Sequence, residues 1–241
     1  AAAIAGAIDE AEVNAWADSL NAWSGWPHLL AARGLELKGS HTFRSYGSFG
    51  REGLVETTDG GPKDFDELRA MLDSDRSRPH LLEERHTYKR KGYDLDMEGT
   101  RRLLWRKSIA GGVGGFFGFY GESSSAFQGH PYPDADQLKT HYEFWHERAS
   151  SMLYSVVDTT LIDAAEAPGE ALRNRDRTKH IFYLENTGRM AVDLTGMKGR
   201  HKAFAIDTKL PYARVFYTTW QPGLHVFPAP YVSDWVIAVG F

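Results

Sequence analysis

The sequence predicts an α/β unit followed by an all-β unit: part of an eight-stranded (β/α)₈ TIM barrel, then a small antiparallel β-sandwich. Helix-spaced apolar segments alternate with short apolar runs over about the first 150 residues, a pattern typical of βαβ units and a parallel sheet. After Arg148 no stretch of helical length and period remains, and short runs separated by turn signals take over. The change predicts a barrel unit over 1–153 and a sandwich over 154–241.

Composition excludes several classes of protein. The 241 residues include 28 Lys and Arg against 32 Asp and Glu, so the net charge of -4 provides no basic excess for a nucleic acid backbone. The absence of cysteine excludes disulfides, thiolate metal sites and a cysteine nucleophile. No apolar run approaches the roughly 20 residues of a membrane-spanning helix. Aromatic residues make up 13% of the chain, which suits either a large core or rings that stack on sugars.

Four segments have apolar residues at helical spacing: 9–23, 62–73, 94–109 and 134–148. An acidic residue, Asp94 or Asp96, is predicted to cap the third helix, and Asp134 opens the fourth. The faces predicted to point inward are Trp16, Leu20 and Trp23 in the first helix, Met97, Arg101 and Leu104 in the third, and Leu138, Tyr142 and Trp145 in the fourth.

Four short apolar runs, at 28–33, 42–49, 79–86 and 114–120, alternate with these helices and predict parallel strands. Four βα units are half of an eight-stranded barrel. An open parallel sheet is the alternative, but it usually has a phosphate-binding glycine loop near its first strand, and none occurs here.

The second unit is predicted from five short strand-like runs with turn residues between them. Turns are predicted at 186–188 and 195–199, which contain Asn-Thr-Gly and a Gly-Met-Lys-Gly stretch. The predicted strands are 181–184, 190–194, 203–206, 214–217 and 235–239.

The densest set of reactive side chains follows the third predicted strand, in the stretch HLLEERH over 80–86. The carboxyl ends of barrel strands face the active site, so Glu83 or Glu84, held by Arg85 and His86, suits a nucleophile or a general base. Alternation along a strand puts Glu83 and Glu84 on opposite faces, so one of them points to the centre. The alternative is a strand ending at the surface, with its charges solvated or paired with Arg85 and Lys89.

Polar and aromatic residues near the ends of the first two strands include Arg33 and Tyr46. They either bind sugar hydroxyls or are loop residues that satisfy backbone carbonyls. Patterns for bound groups fail: the calcium loop that starts at Asp94 lacks its final Glu, and His141 and His146 are five apart, which is wrong for a zinc pair. The sequence therefore predicts no metal and no cofactor.

Several segments together resemble the apiosidase-like glycoside hydrolases, which join a (β/α)₈ barrel to a C-terminal β-sandwich of the collagen-binding type. The similarity covers about residues 12–241. The segments that carry it are HLLEERH (80–86), RRLLWRKSIAGGVGGFFGFYG (101–121), VDLTGMKG (192–199), HKAFAIDTK (201–209) and APYVSDWVIAVG (229–240).

The resemblance implies that the strands are about numbers five to eight of the barrel and that HLLEERH is strand seven. The nucleophile candidate is then Glu84, with Glu83 second. This chain departs from the family pattern in having Glu83 where a small residue is usual. Arg85, His86, Arg33, Tyr46 and Tyr120 would contact substrate. The strand-four acid of such enzymes has no counterpart here, and half a barrel leaves strand edges unpaired. We therefore expect further polypeptide, an upstream segment or a partner chain, to complete the barrel.

Two functions follow as expectations. The first is a glycoside hydrolase, or its C-terminal portion, that cleaves a polysaccharide with two carboxyl groups and is secreted or periplasmic. The second is a non-catalytic protein that binds carbohydrate or matrix, or has a structural role, and keeps the fold without the acid.

Overall fold

The computed structural model describes residues 10–24, 44–46, 69–70, 80–82, 97–111, 113–115, 134–152, 155–158, 160–163 and 169–241, and every structural statement below concerns these residues. They form helices α1 (Glu10–Ser24), α2 (Met97–Ile109) and α3 (Ala135–His146) and a 3₁₀ turn (Ala149–Met152). The strands are β1 (Arg44–Tyr46), β2 (His80–Leu82), β3 (Val113–Gly115), β4 (Val156–Asp158), β5 (Gly169–Arg173), β6 (His180–Asp193), β7 (His201–Asp207), β8 (Phe216–Trp220) and β9 (Leu224–Val239).

Three of the four predicted helices are confirmed, with ends within three residues of the prediction. The remaining predicted helix is the second, 62–73. Only residues 69–70 of it are described, and they are helical. α2 ends because Gly111 adopts a φ of 104°, which side chains disfavour, and its N–H donates to the carbonyl of Ser108 at 3.2 Å.

A small parallel sheet contains the strands β1, β2 and β3 in that order. Tyr46 lies opposite Leu82, and Leu82 lies opposite Gly115. The predicted parallel pairing is confirmed for three strands, and the fourth predicted strand, at 28–33, lies outside the described residues. Adjacent parallel strands in chain order occur both in barrels and in portions of open sheets.

The second sheet is antiparallel and has six strands in the order β4-β5-β6-β9-β7-β8. The predicted strands at 203–206 and 235–239 are confirmed within β7 and β9. The strand predicted at 214–217 begins two residues later, at Phe216. The sequence analysis missed β4 and β5, because their runs of three and five residues are too short for a clear alternation.

The turn predicted at 186–188 is wrong, since β6 continues through it as one strand of 14 residues. The residues form an irregularity in the pairing of β6 with β9, where Asn186 has a φ of 50°. A turn signal therefore marks a bulge here, because β9 runs alongside both halves of β6 and holds them in one sheet. The predicted turn at 195–199 does separate β6 from β7.

Both faces of the central part of the antiparallel sheet are buried. One face forms a core that takes residues from both halves of β6 and β9, including Phe182, Met190, Phe227 and Trp235, so the sheet curls around it. The opposite face is covered by α2 and α3. That second core contains Trp105, Ile109, Phe144, Met152, Leu172, Ile181, Tyr183, Phe204, Ile206, Val236 and Ala238. Burial on both sides explains why the central strands are continuous apolar runs.

Two of the helix faces indicated by apolar spacing are not the most buried ones. In α3 the buried residues are Thr140, His141 and Phe144, whereas Trp145 is partly buried against the core and Tyr142 is 62% exposed. In α1 Trp16 and Trp23 are 56% and 87% exposed. Each helix carries rings on more than one side, so hydrophobicity alone does not select the face that packs. In α2 the prediction is confirmed: Met97, Arg101 and Leu104 are all buried.

Candidate functional site

The carboxyl ends of the three parallel strands lie side by side. β1 ends at Tyr46, β2 at Leu82 and β3 at Gly115, and the register pairs these three end residues with each other. The next residue along the chain after Leu82 is Glu83, followed by Glu84. Because residues that follow neighbouring parallel strands meet at one edge of the sheet, this edge is the candidate site.

Most of the predicted site residues lie outside the described part of the chain: Glu83, Glu84, Arg85, His86, Arg33 and Tyr120. The exception is Tyr46, whose backbone is the last position of β1, opposite Leu82. The roles of all seven residues therefore stay predictions. The described backbone shows only how the strands that lead to this edge pair with one another.

A buried group of charges joins α2 to the antiparallel sheet. We call it the arginine–carboxylate cluster; it comprises Arg101, Arg102, Arg106, Glu185 and Asp234. Both carboxylates are almost inaccessible to solvent, and Arg101 is as deeply buried. The sequence analysis placed Arg101 on the inward face of α2 but did not identify its partners, which lie more than 80 residues away in the sheet.

Two periodicities bring the cluster together. On α2, Arg101, Trp105 and Ile109 are four residues apart and therefore share one face. On the sheet, alternation puts Glu185 on the same face as Tyr183, and Asp234 on the same face as Val236. The charged end of the helix face thus meets the charged end of the sheet face, and the apolar parts pack together beside them.

Asp234 accepts four hydrogen bonds. Its carboxylate receives Arg101 Nη2 at 2.5 Å, Arg102 Nε and Nη2 at 2.8 and 3.0 Å, and the Asn186 N–H at 2.8 Å. Burial alone would raise the pKa of Asp234, but the hydrogen bonds from Arg102, Asn186 and Arg101 outweigh it and lower the pKa to about 2. Asp234 is therefore ionised and fully engaged at neutral pH.

Glu185 is held in a similar way by a bidentate contact. Arg106 donates to its two oxygens at 2.7 and 2.5 Å, and the Tyr183 hydroxyl donates to Oε1 at 3.0 Å. Burial and the charge of Glu185 raise the pKa of Tyr183, which stays a neutral donor. With their oxygens occupied by arginines, Glu185 and Asp234 are unsuited to acid–base or nucleophilic work.

A second polar group lies between α2 and α3. Ser108 Oγ and His141 Nε2 are 2.9 Å apart, and the His141 ring packs against Trp105 with centroids 4.8 Å apart. Burial lowers the pKa of Lys107 to about 7, and burial together with the charge of Lys107 lowers the pKa of His141. A serine bonded to a histidine resembles part of a hydrolase triad, but Ser108 and His141 are both buried, and the Ser108 hydroxyl also donates to the carbonyl of Leu104 at 3.2 Å. We assign them to packing.

The described residues also bear on metal binding and on membrane spanning. No set of three or more His, Cys, Asp or Glu side chains among the described residues is arranged to hold a metal ion. None of the described helices is both long enough and apolar enough to span a membrane.

The fold is similar to that of two solved glycoside hydrolases. One structure, described as a glycoside hydrolase, superposes with a TM-score of 0.55 at 17% identity, covering 95% of this chain and 61% of its own. A glycoside hydrolase family 5 protein from Bacteroides vulgatus gives 0.56 at 15% identity, covering 82% of this chain and 54% of its own.

This chain therefore spans less than two thirds of the length of either structure. No protein-family model and no curated protein sequence matches the chain. At these identities the likeness shows the fold alone, and membership of the apiosidase-like family is not shown by it.

Proposed function

We propose that the chain is a glycoside hydrolase of the apiosidase-like type, or its C-terminal portion, that cleaves a polysaccharide. The observation that carries the proposal is the placement of the first residues of HLLEERH: β2 lies between β1 and β3 in the described parallel sheet, and Glu83 and Glu84 are the next two residues of the chain. The shared fold with solved glycoside hydrolases supports it. In this proposal β1, β2 and β3 are barrel strands six, seven and eight.

The proposed chemistry uses Glu84 as the nucleophile. Its carboxylate attacks the anomeric carbon while a general acid protonates the departing glycosidic oxygen, so the C–O bond breaks and a glycosyl ester forms. The same acid, now a base, takes a proton from water, and the water oxygen displaces Glu84. The two carboxyl groups must lie about 5–5.5 Å apart for this retaining course. We place the general acid on the polypeptide that completes the barrel.

The remaining candidates take binding roles in this proposal. Arg85 and His86 orient the nucleophile or contact sugar hydroxyls, and Arg33 binds hydroxyls at the same edge. Tyr46 and Tyr120 offer rings on which a sugar can stack. The pairing of Tyr46 with Leu82, the residue that precedes Glu83 in the chain, supports a role for Tyr46 close to the carboxylates.

The test is hydrolysis of a panel of aryl glycosides by the full-length protein, its Glu84→Gln variant and its Glu83→Gln variant. The two substitutions are chemically identical and fall on adjacent residues of the chain. We expect Glu84→Gln to lower kcat by at least about 10³-fold, since a nucleophile is lost, and Glu83→Gln to have a much smaller effect. Circular dichroism confirms that both variants fold.

Three results would overturn the assignment or replace it. Full activity in Glu84→Gln excludes this residue as the nucleophile, and a loss confined to Glu83→Gln transfers the role to Glu83. A full-length protein that binds polysaccharide but hydrolyses no member of the panel supports the non-catalytic alternative, a carbohydrate- or matrix-binding protein that keeps the fold.

A further inference from the structure

α2 packs on the antiparallel sheet and lies between β2 and β3 of the parallel sheet along the chain. At its carboxyl end, Ile109 is followed after three residues by Val113, the first residue of β3. β3 in turn pairs with β2, with Val113 opposite Leu81 and Gly115 opposite Leu82. At its amino end, α2 follows the 14 residues that begin with Glu83 and Glu84. α2 is therefore linked through β3 to β2, whose last described residue, Leu82, precedes Glu83 in the chain.

The arginine–carboxylate cluster restricts how α2 can move on the antiparallel sheet. Apolar packing tolerates small sliding movements, whereas a bidentate arginine–carboxylate contact requires a defined distance and angle. Arg106 makes such a contact with Glu185, and Arg102 makes one with Asp234. The two contacts are one helical turn apart, so together they set both the translation and the rotation of the helix.

The partners of the cluster are themselves held in place. Asp234 receives the Asn186 N–H, and its own backbone carbonyl accepts from the N–H and the hydroxyl of Thr208, both at 3.0 Å. Arg101 is also held from its other side, because its Nη1 donates to Gln137 Oε1 of α3 at 2.7 Å. The charges therefore tie α2 to β6, to β9 and to α3.

The interface differs from that of a separately acting binding module. Contacts between independent domains are usually polar and allow relative movement. Here the face of the sheet toward α2 and α3 is a closed apolar core with fully buried Trp105, Tyr183 and Phe204, bordered by the cluster.

We propose that the antiparallel sheet is a positioning element of the active site, in which Glu185 and Asp234 hold α2 through Arg106 and Arg102 and thereby align the edge that carries Glu84. This inference rests on the proposed function. Arg106 and Arg102 are positioning residues, and they do not touch substrate.

The test compares the full-length protein with Glu185→Gln, using Glu143→Gln as the matched control. Glu143 forms an exposed pair with Lys139 on α3, one turn away in the same helix, and lies outside the cluster. We expect Glu185→Gln to lower kcat about 10- to 100-fold with KM changed less than about twofold, because the substrate contacts stay and the reacting groups are misaligned. Glu143→Gln should match the wild type. Arg106→Lys keeps the charge but not the bidentate contact, so its kcat should fall less than that of Glu185→Gln. It replaces Glu185→Gln if that variant does not fold.

Amide hydrogen exchange of the peptide containing β3 is measured on the same proteins. We expect faster exchange in Glu185→Gln than in Glu143→Gln. An active wild type with unchanged kcat in Glu185→Gln, or in Arg106→Lys where Glu185→Gln does not fold, overturns the positioning role and leaves the proposed function intact. A wild type that hydrolyses nothing overturns the proposed function, and with it the catalytic sense of the inference, while the exchange result still decides whether the sheet restrains β3.

Discussion

The parallel and antiparallel sheets of this chain differ in what holds them. The described parts of β1, β2 and β3 pair in register, with Tyr46 opposite Leu82 and Leu82 opposite Gly115. The antiparallel strands reach 16 residues, and the central ones have both faces buried and share a core and a charge cluster with α2 and α3. The parallel sheet leads to the candidate chemistry, and the antiparallel sheet provides the packing against which α2, the helix between β2 and β3, is fixed.

The largest effect is expected from Lys107, a charge buried in the helix layer on the antiparallel sheet. Burial lowers its pKa from 10.5 to about 7, so between these values the unfolded chain binds the proton and the folded chain does not. The free energy of unfolding should then rise with pH across this range, by at most about 5 kcal/mol from this group. Denaturant titrations between pH 7 and 10.5 should show this rise in the wild type and a much flatter profile in Lys107→Met. Identical profiles would contradict the burial of the charge.

A nearly equal effect is expected from Trp105, which is completely buried between α2 and the sheet. Trp105→Ala should lower the free energy of unfolding by about 3–5 kcal/mol, because a large cavity opens in the core beneath the helices. Trp23→Ala is the matched control: the same substitution at a ring that is 87% exposed should cost less than about 0.5 kcal/mol. Equal losses in the two variants would remove the distinction between the buried layer and the exposed face of α1.

A smaller effect is expected on acidification, through Asp234. Its pKa in the folded protein is about 2 against an ordinary 3.8, so it stabilises the fold above pH 4, and this contribution is lost as the pH falls toward 2. The loss should be about 2 kcal/mol. Unfolding measured from pH 5 to pH 2 should show an acid limb that is smaller by this amount in Asp234→Asn, which does not titrate. A limb of unchanged size would show that Asp234 is not held by the arginines.

The smallest effect is expected at an ion pair on the open side of the same sheet. Arg189 Nη1 lies 2.9 Å from Asp163 Oδ2, and the arginine side chain is 60% exposed. Asp163→Asn should change the free energy of unfolding by less than about 1 kcal/mol, because solvent screens the pair and the amide oxygen can still accept from the Ala191 N–H. A loss as large as that of Asp234→Asn at neutral pH would mean that burial does not distinguish the two sites.

Local patterns explain why much of the fold was predictable. Helical spacing identified α1, α2 and α3, and the alternation of helices with apolar runs identified parallel strands at β1, β2 and β3. Such signals lie within about 15 residues of chain, where backbone geometry alone relates neighbours. The same reasoning failed at 186–188, where a local turn signal was overridden by the pairing of β6 with β9, some 40 residues further along the chain.

The candidate site divides in the same way. The sequence located a carboxylate pair after an apolar strand, and the structure confirms that this strand is central and parallel, with its end in register with two others. The sequence analysis did not find the arginine–carboxylate cluster. RRLLWR in α2 and SDW in β9 are individually unremarkable as charge patterns, and only their packing turns them into a buried network.

The amino-acid sequence by itself determined the order and type of the main elements, the absence of thiol chemistry and the position of Glu83 and Glu84 after a strand. Only the tertiary structure decided which side of α3 is buried, that β6 and β9 are neighbours, and that Asp234 and Glu185 meet three arginines. The physical reason is the range of the forces involved. Periodicity reflects the geometry of one backbone segment, whereas burial and ion pairing depend on which distant segments exclude water from each other.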